Sequence, residues 1–200
     1  MRPTRHRFTI PPEIQGRIAG GDLRLLVSSG LPVLEDAAPF SPISDPKIVG
    51  QFLLLCGSPR VVQLGLNVET GEVGAIWPWA PPCFANSSLS LYADSITAFA
   101  EGLPYDADEE GHPDNILAQA DGLRRRIARI DPPAIGDNTF WNEISWDVVN
   151  GEWSSEDRRL AARALPGAPP RLQRHRLRIL THAGRPRVPP GVRPRPAPLI

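Results

Sequence analysis

The 200-residue chain has one lysine, Lys47, two cysteines and four histidines, and no apolar run long enough to span a bilayer. Each shortage excludes a class of function. A phosphate-cradling G-x-x-x-x-G-K-[ST] loop needs a lysine in that context, and none is there. Two cysteines, Cys56 and Cys83, do not make a disulfide framework in a chain of this size. Cys56 lies in the apolar run FLLLC and reads as a small buried hydrophobe, with a bridge to Cys83 left open. His6, His112, His175 and His182 do not combine with the cysteines at zinc-finger spacing. A membrane-spanning helix needs roughly 20 apolar residues, so no membrane role is expected. The N-terminus MRPTRHRFTIPPEIQ is positive but has no apolar stretch behind it, so a cytoplasmic location is the expectation.

Catalytic sets are missing too. Ser58, Ser87 and Ser88 are not in a G-x-S-x-G turn. The run YDADEEGHPD has a glycine, Gly111, at the sixth position of a calcium-type loop counted from Asp106. Its twelfth position is Leu117 rather than the closing glutamate, so it reads as a solvated acidic loop. Glu143 and Asp147 stand four apart on a predicted helix, where such pairs are usually surface charge. No enzyme, cofactor or metal is expected.

What is present is charge separation and a clear element pattern. Arg158 to Ile200 holds 11 arginines and no acidic residue, while the first 157 residues hold the other 11 basic residues and all 22 acidic ones, a net of −11. An acidic body repels nucleic acid and suits a basic protein partner, besides aiding solubility. The arginine-rich segment could bind nucleic acid, fold back on the acidic body, or be under no structural selection. With nine prolines from Pro166 onward it is expected to lack a fixed structure.

Asp22 is expected to cap a short helix, DLRLLVSS, that buries Leu23, Leu26 and Val27 and stops at Gly30. LPVLEDAAPFSPISDP, broken by prolines, reads as a surface loop, and Ile48 to Cys56 as one buried strand. Val62 to Val68 and Val73 to Trp77 alternate apolar and small or polar residues around Glu69-Thr70-Gly71, which predicts a hairpin. Pro78, Pro81 and Pro82 are expected to end its second strand and leave APPCFA as a loop. Asn86, Ser87 or Ser88 then caps a helix with Leu89, Tyr92, Ile96 and Phe99 on one face. Asn115 to Ile130 and the segment FWNEISWDVVNG give two more helices. Of Trp77, Trp79, Trp141, Trp146 and Trp153, Trp79 stands nearest the prolines and is the one expected at the surface, where tryptophan serves as an interface anchor.

The order of these pieces, with RVVQLGLNVETGEVGAIWP, FANSSLSLYADSITAFAEGL and FWNEISWDVVNGEW, resembles the fourth subgroup of SUKH superfamily immunity proteins, found in actinobacteria. The resemblance implies an α+β fold, a mainly antiparallel sheet flanked by helices in a single domain. The expected organisation is a lead-in over 1–21, the SUKH-like domain over 22–157 and the arginine- and proline-rich tail over 158–200. It further implies a non-catalytic immunity protein that binds and neutralises a cognate polymorphic toxin of nuclease or deaminase type. A regulatory or scaffold module of the same fold is the alternative. Trp77, Trp79, Asp106, Asp108, Glu109 and Glu110 are the candidate partner-binding residues. Nucleic acid is not expected to bind the body but remains open for the basic tail.

Overall fold

The computed structural model describes residues 2–35, 37–106 and 113–155. All of them fall in the first of the two units into which the chain divides, Met1–Ala164. The expected tail, Asp108 to Glu110 and His112 lie outside the described residues.

The N-terminal part pairs β1 (Thr4–His6) antiparallel with β2 (Leu31–Val33). Between them come the single turn α1 (Pro12–Gln15), α2 (Gly20–Arg24) and a π-helical turn, Leu25–Ser29, which stops at Gly30 as expected. Asp22 is not the cap. Ala19 holds that position, and Asp22 sits in the first turn, where its charge complements the helix dipole instead. Leu26 is fully buried, but Leu23 is only half-buried and Val27 is exposed, so the apolar face of this segment is narrower than its spacing predicts.

The main sheet has five strands in strictly sequential antiparallel order: β3 (Ile48–Val49), β4 (Phe52–Gly57), β5 (Gln63–Asn67), β6 (Val73–Trp77) and β7 (Ala80–Asn86). The predicted hairpin is β5–β6, with Gly71 at φ 79°, a backbone conformation that glycine adopts without steric cost. Two strand expectations change. Ile48 to Cys56 is a tight hairpin, turned at Gly50 and Gln51, rather than one strand. APPCFA is strand β7 rather than a loop, joined to β6 by the two-residue turn Pro78-Trp79, since Trp77 pairs with Ala80. Proline is tolerated there because β7 is an edge strand, where a missing N–H costs no ladder bond on the free side.

Helices α3 (Leu89–Glu101), α4 (Pro113–Ile130) and α5 (Phe140–Val149) follow, with a 3₁₀ turn, Pro132–Ile135, between the last two. Ser88 is the N-cap of α3, its Oγ accepting the Leu91 N–H at 3.3 Å. Replacing Ser88 with alanine is expected to lower stability by about 1 kcal/mol, read as a fall in the urea midpoint at unchanged slope. The core joins α3, α5, β2 and the segment after β2. Phe40 is fully buried, with ring centroids 5.3 Å from Phe99 and 5.9 Å from both Phe140 and Trp141. LPVLEDAAPFSPISDP is therefore not simply a surface loop. It contributes strand β2 and buries Leu34, Ala37 and Phe40.

Candidate protein-binding surface

The β6–β7 turn carries the two candidate tryptophans. Trp79, at the second turn position, is 43% exposed. Trp77 closes the hairpin and is half-buried, its indole Nε1 donating to Cys83 Sγ at 3.5 Å. The ring centroids lie 6.2 Å apart at an interplanar angle of 37°. Pro78, Pro81 and Pro82 are all exposed around them. This places a stiff aromatic and proline knob at the end of a hairpin, and a tryptophan side chain has few rotamers to lose on being fixed.

Asp106 is placed elsewhere, between the end of α3 and the start of α4. Its backbone carbonyl accepts Gln119 Nε2 at 2.6 Å, and its Oδ1 accepts the Ser155 N–H at 2.6 Å. Tyr105 N–H donates to the Trp153 carbonyl beside it at 3.1 Å. Asp106 therefore ties the chain after α5 back onto the α3–α4 connection.

The other chemistry-bearing residues are placed as follows. Cys56 and Cys83 form no disulfide. Burial pushes the Cys56 thiol up to about 12, opposed by the neighbouring Tyr92 hydroxyl, so it is no thiolate nucleophile at neutral pH. Ser58 accepts the Arg60 N–H within a turn, and Ser88 is a helix cap. His6 packs edge-on against Phe8. Glu143 and Asp147 are half-buried one turn apart on α5. Among the described residues no group of three histidine, cysteine or acidic side chains could hold a metal ion. No described helix is long and apolar enough to cross a membrane.

Two features were not read from the sequence. The first is a buried polar knot. Asn86, fully buried, donates through Nδ2 to Ser95 Oγ at 3.1 Å and to Asp131 Oδ2 at 3.0 Å, and accepts Trp141 Nε1–H on Oδ1 at 2.8 Å. Asp131, 2% exposed, also accepts the Ser87 N–H at 2.7 Å and the Ser87 hydroxyl at 2.9 Å. NSSL therefore does more than cap a helix: Asn86 and Ser87 join β7 to the α4–α5 connection while Ser88 starts α3. The second is Trp146 on α5, 49% exposed, with the Arg124 guanidinium 5.1 Å from its ring centroid. The helical spacing of Trp141, Ile144 and Val148 could have shown it, because that spacing turns residue 146 away from the core.

An antiparallel sheet flanked by helices is the α+β arrangement that the resemblance implied. Residues 15–147 match the model of the SUKH-4 immunity protein family. The chain belongs to that family. No curated protein and no solved structure matches it. The SUKH-4 match takes in β2 to β7, α2 to α4 and most of α5, and it leaves β1 and Trp153 outside. Immunity proteins of this family are generally non-catalytic.

Proposed function

We propose that the chain is the immunity partner of a cognate polymorphic toxin of nuclease or deaminase type, and that it neutralises the toxin in the cytoplasm by binding, without catalysis. The SUKH-4 match over residues 15–147 carries this reading. The surface supports it: Trp79 is presented on a stiff turn beside Trp77. The acidic sequence Asp106, Asp108, Glu109 and Glu110 supplies negative charge for a basic partner.

The test is co-purification and growth rescue with the toxin encoded beside the gene. Failure of the full-length chain to bind or protect against any adjacent toxin sinks the proposal. Within a complex, Trp79→Ala is expected to weaken binding about 30-fold or more, the effect of losing a contact of about 2 kcal/mol. Its own unfolding midpoint should hardly change, because an exposed turn residue contributes little to the core. Undiminished affinity of that variant would remove Trp79 from the interface.

A further inference from the structure

The five-stranded sheet has a second face, and its composition is unusual. Asn86 reaches Ser95 on α3 and Trp141 on α5, so α3 and α5 meet the sheet on the face that carries Leu53, Leu64, Leu66, Val73 and Ala75. The register puts Phe52, Leu54, Gln63, Gly65, Gly74, Ile76 and Phe84 on the opposite face. An antiparallel sheet with one solvated face normally alternates apolar inward with polar outward. Here these strand positions carry no charge: Leu54, Gly65 and Gly74 are buried at the middle, and Phe52, Ile76 and Phe84 are half-buried around them.

The two glycines form the floor of this face. A Cβ on Gly74 would meet the Phe52 ring at 2.7 Å, and one on Gly65 would lie 3.1 Å from Phe52 Cβ and 3.3 Å from Ile76 Cδ1. The Phe52 side chain therefore packs over both glycines, its Cβ above Gly65 on β5 and its ring above Gly74 on β6. The result is a shallow apolar surface held in fixed shape, the kind of patch that marks an interaction site. One end reaches the Trp77–Trp79 turn, and the other reaches the β5–β6 turn, where Glu69 and Glu72 are exposed.

We infer that this face, opposite α3 and α5 and continuous with the Trp79 turn, is where the partner sits, and that the partner presents apolar side chains bordered by lysine or arginine. The inference rests on the proposed immunity function and names its surface. Charge selects the occupant. Glu69, Glu72 and the net −11 of the first 157 residues would repel the same region of a second copy and attract a basic border. Pro81 and Pro82 remove two donors from β7, which disfavours strand addition at that edge and leaves contact through side chains on the face.

The test uses the full-length chain and the toxin domain encoded beside it. Ile76→Glu puts an uncompensated charge on the face. Gln63→Arg, at the residue paired with Ile76, keeps the apolar packing and sets a positive charge against the basic border. Both are expected to weaken binding at least 10-fold, with the Gln63→Arg chain melting within a few degrees of wild type. Wild-type binding with unchanged affinity in both variants overturns the face and leaves the immunity reading standing. No binding by the wild-type chain overturns both. A wild-type dimer that Ile76→Glu dissolves assigns the face to a second copy and overturns the choice of partner.

Discussion

Replacing Asn86 with alanine lowers the unfolding free energy by about 3–4 kcal/mol, among the largest effects any single substitution in this chain will produce. Three partners lose a bond together: the Trp141 indole N–H, the Ser95 hydroxyl and one oxygen of Asp131. All three residues are buried, so water cannot replace what is lost. A buried donor or acceptor left unpaired costs about 1–3 kcal/mol, more for a charged group. The damage concentrates on Asp131, whose side chain is surrounded in this network by neutral donors, from Asn86 and Ser87. Trp141→Phe isolates one arm, since it removes the indole donor and keeps most of the ring packing. It is expected to cost about 1–3 kcal/mol. Urea unfolding of both single variants and the double variant gives the coupling, and the sum of the single losses should exceed the double loss by at least 0.5 kcal/mol. Strict additivity, or an Asn86→Ala loss under 1 kcal/mol, would show that the network holds nothing together.

This knot also marks where sequence reading stops. NSS before an apolar-periodic run signals a helix start, and Ser88 does cap α3. The sequence cannot show that the asparagine two residues earlier points inward, because its partners stand 45 and 55 positions away, at Asp131 and Trp141. Long-range polar pairing leaves no local period, whereas burial of a helix face does. For the same reason the faces of α3 and α5 were legible from spacing, and the role of Asp106 in holding Ser155 was not.

The candidate surface shows the same division. Trp79 was legible because the prolines around it resist burial. That those prolines lie on a strand was not, since proline in a run argues against a strand unless the strand is at an edge, and edge position is a property of the whole sheet. The outward face of β4 to β6 was hidden for a related reason. Gly65 and Gly74 read as weak strand residues until the register brings Phe52 over both.

Phe40 gives the second large effect. In LPVLEDAAPFSPISDP the prolines and acidic residues outweigh one phenylalanine, so the segment reads as surface. Its backbone bonds explain the difference. Leu34 N–H donates to the Phe40 carbonyl at 3.2 Å and Phe40 N–H to the Ala37 carbonyl at 2.7 Å, so the segment folds on itself into a compact turn. Ser41 reinforces it, its hydroxyl donating to the Glu35 carbonyl at 2.5 Å. The turn points the Phe40 ring into the space between α3 and α5, where Phe99, Phe140, Trp141 and Trp153 all lie within 6.0 Å of it, centroid to centroid. Phe40→Ala is therefore expected to cost about 3–5 kcal/mol, from lost burial plus a cavity whose aromatic walls cannot collapse. Phe40→Leu, closer in volume, should cost less than half of that. The measurement is urea unfolding followed by tryptophan fluorescence, with Trp141 and Trp153 reporting from the cavity wall. A loss below 1 kcal/mol for Phe40→Ala would return this segment to the surface and remove one wall of the core on which α3 and α5 pack.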